Sequence, residues 1–387
     1  MRVIGCLSGT SYDGIDVAAA DLSFERESVV LHPLGALDVP FSDDLRAGIA
    51  AILPPNSSDV EQLCRLDTRL GQLFAKACVR GRDELCGGRT DLVVSHGQTV
   101  FHWVEGAHAL GTLQLGAPAW IARATGVPVV SDLRSADVAA GGHGAPLAAL
   151  FDALLLGGAD GVRGALNLGG IANITVVGND VLAYDIGPAG ALIDAYMRHA
   201  TAGAEAVDRG GARAARGTIV QPLLDDLLAE PYYRLDPPKS TGKELFHLGY
   251  LRDRLGAYPD RTVDGVLATL TELTAQLVAD SCARHGIEEL IASGGGTANT
   301  RLMHRIAALT TARVRTIDEL GVPTSAKEAY LFAFLGFLTA HGLPGTLPAC
   351  TGAGEPVVLG SITPGSEPLH LSAPVGRMPS ALRIARP

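Results

Sequence analysis

No run of about 18 apolar residues occurs in this 387-residue sequence, so no segment has the length and apolarity of a membrane span. The first residues, Met1 to Gly9, lack the long apolar stretch of a secretory signal. Cysteine is sparse. Cys6, Cys64, Cys78, Cys86, Cys282 and Cys350 are scattered and form no CxxC pair, which fits free thiols in a reducing compartment. A cytoplasmic protein is the expectation. Lysine is confined to Lys76, Lys239, Lys243 and Lys327, with arginine in its place, which reads as a codon bias and not as a functional signal. A basic excess is missing too: the net charge is −10. That argues against nucleic acid as the main partner, since such binders carry a basic stripe. It leaves room for a local anion site built from backbone N–H groups. Low-complexity segments are absent.

What is present is a large core. Apolar residues make up 47% and charged residues 19%. That excludes a disordered chain, which would be polar and highly charged. At roughly 150 residues per domain, the length suggests two to three domains. Strand and helix patterns alternate, which makes the fold α/β. Arg2 to Leu7 and Ile15 to Leu22 read as strands around a turn-rich Ser8 to Gly14. Helical spacing runs through 41–86, with Leu63, Leu66, Leu70 and Phe74 on one face. Leu92 to Ser95 and Val127 to Leu133 read as short strands, and Ala117 to Thr125 as a helix. A glycine-rich loop at 139–146 leads to a helix ending at Leu156. The pattern then restarts. Strands at 164–168, 173–177 and 180–184 precede a helix at 191–199. Longer helices cover 263–285, 300–309 and 327–340, a strand covers 289–292, and a short one covers 357–361. Two halves each opening on a glycine-containing turn between strands suggest a duplicated fold, with two α/β domains facing one another across a cleft.

Three loops carry the chemistry. Gly9, Thr10, Ser11, Asp13, Gly14 and Asp16 lie in a hairpin whose N–H groups and hydroxyls can approach an anion. Asp13 and Asp16 can hold hydrated Mg²⁺, which prefers carboxylate and water oxygens. A polar-tipped hairpin with no ligand is an equally good reading of that segment alone, and no Walker A lysine follows. Gly169 and Gly170 form a second tight turn. Gly294, Gly295 and Gly296, followed by Asn299, lie between a strand and a helix, where bare backbone and a helix N-terminus suit a flat, charged ligand. Each loop alone is weak evidence. Three in this order are stronger.

That order, with the motifs around it, resembles the anhydro-N-acetylmuramic acid kinase family, within the actin/hexokinase/acetate-kinase-like superfamily. The marks are Leu7 to Asp16, Ser95-His96-Gly97-Gln98-Thr99, Asp132-Leu133-Arg134 through Asp137 to Leu147, and Leu166 to Asn173. Further marks are Asp185-Ile186-Gly187-Pro188, Asp208-Arg209-Gly210-Gly211, Pro238-Lys239-Ser240-Thr241-Gly242 and the triple glycine. They span essentially the whole chain. The sequence departs from the usual family residues at Tyr12, His143 and Gly190.

The resemblance implies two facing actin/hexokinase-like (ribonuclease H-like) domains around an interdomain cleft. Residues 1–130 would form the first, with the tail from about 350 to 387 returning to it, and 131–349 the second. It implies an ATP- and Mg²⁺-dependent kinase that hydrolytically opens the 1,6-anhydro ring of anhydro-N-acetylmuramic acid and phosphorylates O6, in peptidoglycan recycling. Asp185, just before Gly187-Pro188, is the expected catalytic base, acting on the water that attacks the anomeric carbon. Serving as the N-cap of the next helix is its ordinary alternative. Gln98, Thr99, Arg134 and Glu328 are the expected sugar contacts, although a local pair between Arg134 and Asp137 is at least as good a reading. The expected partners are ATP and the small-molecule sugar, with a homodimer left open, and neither nucleic acid nor membrane. Rival readings are a kinase of another anhydro sugar such as levoglucosan, an actin-like nucleotide switch, and a metallohydrolase using His96 and His102. The six-residue spacing of those histidines is poor for shared ligation.

Overall fold

The computed structural model describes every residue except Thr10, Ala107, Ala159, Pro238, Lys243, Leu371, Arg386 and Pro387. The chain opens with β1 (Arg2–Ser8), β2 (Gly14–Glu25) and β3 (Ser28–Pro40), then α1 (Asp43–Ile52) and α2 (Val60–Leu85). The two helices start where side chains supply the missing acceptors. Ser42 accepts from Leu45 N, and Asp59 forms a capping box with Gln62. Next come β4 (Leu92–Glu105), β5 (His108–Leu115), α3 (Pro118–Thr125), β6 (Val129–Ser131), α4 (Ser135–Ala139) and α5 (Ala148–Leu156). The second series is β7 (Val162–Leu168), β8 (Ile171–Val177), β9 (Val181–Pro188), α6 (Gly190–Ala200), α7 (Ala212–Arg216), α8 (Gln221–Leu228), α9 (Leu248–Leu255), α10 (Val263–His285), β10 (Ile287–Ser293), α11 (Thr300–Leu309) and β11 (Arg313–Thr316). The chain ends with α12 (Lys327–Ala340), α13 (Pro348–Thr351), β12 (Ser361–Thr363) and β13 (Ala381–Ile384).

Two compact units result, Met1–Leu155 with Ala326–Pro387, and Leu156–Ser325. The first holds a mixed sheet ordered β12-β6-β4-β1-β2-β3-β13, with β5 added on β4. Strands β1/β2 and β2/β3 are antiparallel, while β1/β4 and β4/β6 are parallel. The second holds a sheet ordered β11-β10-β7-β8-β9. There β7/β8 and β8/β9 are antiparallel, and β10/β7 and β10/β11 parallel. The five strands β6-β4-β1-β2-β3 therefore repeat in order and sense as β11-β10-β7-β8-β9. The fold is α/β, with the ribonuclease H-like arrangement of the actin/hexokinase class built twice.

Each core follows from its helices. In the first unit, Leu70, Phe74 and Cys78 of α2 pack with Ile4, Val17 and Val93 of the sheet. Helix α12 is apolar almost all round, and Ala329 to Ala340 are buried throughout. It crosses β1 so closely that a Cβ on Gly5 would strike the Ala329 carbonyl and come within 2.6 Å of Ala333 N, which is why glycine stands there. In the second unit, α10 starts at the Thr262 cap, ends at left-handed Gly286 (φ 62°), and buries most of its length among Leu166, Ile174, Leu192 and Leu290. No helix of the described residues is long and apolar enough to cross a membrane.

Three strand readings differ from the sequence pattern. Strand β4 does not stop at Ser95 but runs on to Glu105, because β5 supplies a partner ladder from Gln98↔Leu115 onward. Left-handed Gly97 (φ 71°) permits the continuation, since a Cβ there would strike the Leu115 carbonyl. The strand expected at 357–361 is shifted to β12 at Ser361–Thr363, where β6 offers its edge. The tail holds a further strand, β13, paired in parallel with β3.

Candidate active site

The first loop sits between β1 and β2, and its neighbours hold it by side chain. Ser8 Oγ donates to Gln98 Oε1 at 2.6 Å, and Gln98 Nε2 donates to the carbonyls of Gly9 (3.3 Å) and Thr99 (3.1 Å). Gln98 is buried, so the side chain expected to contact sugar is engaged in fixing the Ser8-Gly9 backbone. Thr99 Oγ1 accepts from Gln114 Nε2 at 3.4 Å. Within the loop, Tyr12 N donates to Gly9 O and Ser11 Oγ donates to Asp13 Oδ1 at 2.8 Å. Among the described residues, only Ser11 Oγ, at 3.8 Å, would approach a Cβ on Gly9. Thr10 lies outside the described residues. Asp16 is half-buried, and its carboxyl is pushed up to about 6 by burial, with Asp13, Glu328 and Asp38 adding like charge.

The glycine-rich loop after α4 is held from two sides. Asp137, fully buried, accepts from Gly144 N and from Thr351 Oγ1, each at 2.7 Å. Half-buried Arg134 donates through Nη1 to Gly144 O at 2.6 Å and through Nε to His96 Nε2 at 3.3 Å. The anticipated Arg134–Asp137 pair is absent among the described contacts, and each side chain grips the loop instead. Burial pushes Arg134 down to about 10, against the pull of Glu328 and Asp137. His96 is buried, stacked on Phe332 with ring centroids 4.4 Å apart, and held well below its ordinary range by burial and by Arg134. Its Nε2 lone pair is taken up by the Arg134 guanidinium and so is not open to a metal shared with His102. Among the described residues, no three His, Cys, Asp or Glu side chains cluster as metal ligands. Glu328 stands in the first turn of α12 and reaches solvent. The protein around it pushes its carboxyl up, and that contact with water weakens the push.

In the second unit, the Gly169-Gly170 turn faces the start of α6. Gly169 O accepts from Gly190 N at 3.0 Å, and Gly170 O accepts from Ala189 N and Ala191 N at 2.9 Å. The turn thus supplies acceptors to the orphan N–H groups of α6. A Cβ on Gly190 would lie 3.2 Å from Gly169 O. The triple glycine divides by role. A Cβ on Gly296 would lie 2.7 Å from Leu168 Cβ, and one on Gly294 (φ 87°) would crowd Asn167 and Leu168, whereas Gly295 has nothing within 4 Å. Asn299 is the N-cap of α11, its Oδ1 accepting from Leu302 N at 3.0 Å. The Asp208–Gly211 segment packs beside it, where Thr300 Oγ1 donates to Gly210 O at 2.9 Å.

Asp185 lies on β9, which continues three residues past it to Pro188. It does not cap α6, whose N-cap position is Ala189. Its carboxylate is held on one side only. Oδ2 accepts from Ser240 Oγ at 2.8 Å and from Thr241 N at 3.0 Å. The backbone is pinned as well: Asp185 N donates to Lys239 O at 3.1 Å, and Tyr232 Oη donates to Asp185 O at 2.7 Å. Oδ1 accepts from none of the described residues. Burial pushes the carboxyl up, the bonds from Thr241 and Ser240 pull it down, and Glu244 pushes it up.

The Pro238 to Gly242 motif stood out in the sequence as a family mark, but the reach of Ser240 to a strand some 55 positions earlier had no sequence signal. Pro238 and Lys243 lie outside the described residues.

The anhydro-N-acetylmuramic acid kinase family model matches residues 1–365. The chain belongs to the anhydro-N-acetylmuramic acid kinase family. A relative named anhydro-N-acetylmuramic acid kinase from Streptomyces coelicolor is 56% identical over 99% of each chain. One of the same name from Rhodococcus erythropolis is 52% identical, again over 99% of each chain. A third from Salinibacter ruber is 41% identical over 93% of this chain and 96% of its own. The function is that of an anhydro-N-acetylmuramic acid kinase, an ATP-dependent sugar kinase of cell-wall recycling.

Proposed function

We propose that Asp185 is the single base through which this family's reaction is run here. Water attacks the anomeric carbon of the 1,6-anhydro sugar while Asp185 Oδ1 takes its proton. The bond from that carbon to O6 breaks, and O6 forms a bond to the γ-phosphorus of ATP as ADP departs. Water, anhydro sugar and ATP thus give N-acetylmuramic acid 6-phosphate, ADP and a proton. O6 leaves carbon as it attacks phosphorus, so phosphoryl capture stands in for the acid half of an inverting glycosidase. One observation carries this reading: a half-buried carboxylate with Oδ2 held by two donors and, among the described residues, Oδ1 held by none.

The remaining roles follow from local shape. The Gly9–Asp16 loop and the Gly169-Gly170 turn would lie against phosphate, and bare Gly295 against the adenosine. Arg134, Thr99 and Glu328 would contact the sugar, with Gln98 shaping the loop beneath. Asp13 and Asp16 fit a hydrated Mg²⁺, since the carboxylates crowding Asp16 repel one another until a cation is present. When bound, that ion would neutralise charge on the transferring phosphate. Phosphorus NMR and mass spectrometry of products from ATP with anhydro-N-acetylmuramic acid test the proposal, with levoglucosan run in parallel. The expected result is one phosphate monoester at O6 of a ring-opened sugar, formed with a single oxygen from solvent. A ring-opened sugar without phosphate would defeat the one-base scheme.

A further inference from the structure

Lysine is rare in this chain, yet Lys239 sits next to the residues that grip Asp185. Its ammonium does not point to a carboxylate. Nζ donates to the carbonyls of Tyr232 and Tyr233, each at 3.1 Å, and lies 4.7 Å from the Tyr232 ring centroid and 5.9 Å from that of Tyr184. Two carbonyls and two aromatic faces form a socket for a cation. The socket belongs to the same structure as the proposed base. Tyr184 immediately precedes Asp185 on β9, and Tyr232 donates its hydroxyl to Asp185 O. One and two residues on from Lys239, Ser240 Oγ and Thr241 N reach Oδ2.

We propose that Lys239, Ser240 and Thr241 form a positioning latch for Asp185, in which the seated ammonium fixes the segment and the two donors fix Oδ2, leaving Oδ1 as the oxygen that takes the proton. The latch rests on the reading of Asp185 as the base. Held this way, the carboxylate has one rotamer and one reactive oxygen, so less reorganisation remains for the transition state. The donors also stabilise the charged form of a carboxylate that burial pushes up. Among the described residues, Glu244 is the titratable group that acts on Asp185, Asp185 in turn pushes the Tyr232 phenol up, and Arg284 and Asp236 act on Lys239.

Four variants of the full-length enzyme test this: Ser240→Ala, Ser240→Thr, Lys239→Met and Asp185→Asn. The readout is kcat and KM against pH at saturating ATP. Ser240 is exposed, so its alanine variant keeps the fold. Loss of a donor to the charged carboxylate raises its pKa, so the acidic limb of kcat moves to higher pH. We expect a fall of about tenfold in kcat with little change in KM, the signature of a lost transition-state interaction. Ser240→Thr restores both the limb and the rate. Lys239→Met, checked for folding by circular dichroism, gives a larger fall with the same direction of shift. An unmoved limb, or a rise in KM alone, overturns the latch while an inactive Asp185→Asn leaves the base reading intact. An active Asp185→Asn overturns the base reading itself, and the latch with it.

Discussion

Asp185 of the second unit and Asp16 of the first are both half-buried carboxylates on a strand of the same kind of sheet, and burial pushes both up. Their neighbours then differ, although Glu244 adds like charge to Asp185 as well. Asp185 meets hydrogen-bond donors, Ser240 Oγ and Thr241 N, which pull it back down. Asp16 meets carboxylates, Asp13, Glu328 and Asp38, which push it further. The first arrangement favours the charged form of the proposed base and leaves one oxygen without a partner among the described residues. The second leaves repulsion unrelieved, the mark of a site that gains stability from a cation. The two carboxylates stand on non-equivalent strands of the repeat, β2 and β9, so it is what surrounds each that separates the roles proposed for them.

The largest effect is expected at the donor-flanked carboxylate. Asp185→Asn keeps size and removes the base, so single-turnover kcat should fall by at least about a hundredfold. Affinity for ATP and sugar, measured by calorimetry, should change far less. Near-parental turnover would erase the contrast between the two aspartates. Next in size is Gly295→Val. Space is open around Gly295, unlike Gly294 and Gly296, so the fold should persist. Filling the proposed adenosine surface should weaken ATP binding by at least about tenfold, or about 1.4 kcal/mol. Unchanged affinity in the folded variant would take this loop out of the nucleotide site.

Much of the scaffold was legible because its signals are local. Helix α10 lies where Thr262 and Gly286 bracket an apolar run, and the Gly169-Gly170 turn is a two-residue turn between apolar strands. Strands β3, β5 and β13 were not: β3 and β5 are the second arms of hairpins on β2 and β4, and β13 exists through a parallel ladder with β3 that is remote in sequence. The candidate site divides in the same way. Asp185 stood out through Gly187-Pro188 and the family pattern. Nothing local foretold that Gln98 would bind the Ser8 hydroxyl and the Gly9 carbonyl, that Asp137 would hold Gly144 and Thr351, or that Ser240 would reach Asp185. Those contacts cross from one element to another, and periodicity records only what one element does by itself.

The smallest expected effect belongs to the carboxylate-flanked residue and concerns stability. Asp16 titrates near 6 in the folded chain, against about 3.9 in an unfolded one. The folded state therefore binds that proton more tightly, and stability declines as pH rises from about 4 to about 6. Above that range the charged carboxylate remains a cost. Asp16→Asn removes it, so the protein without ligands should be more stable than its parent near neutral pH. The gain is about 1 kcal/mol once solvent screening of a half-buried group is allowed for. It should vanish below about pH 4, where both chains are neutral at this position. Urea unfolding across pH 4 to 8 measures the difference, and equal stability at neutral pH would break the contrast with Asp185. Adding Mg²⁺ and ATP sharpens it. A ligand that binds only the folded state stabilises in proportion to its affinity. If Asp16 helps to hold the ion, the parent should gain more from MgATP than the variant does, closing or reversing the gap. Equal gains would leave Asp16 as a strained carboxylate with no part in metal binding.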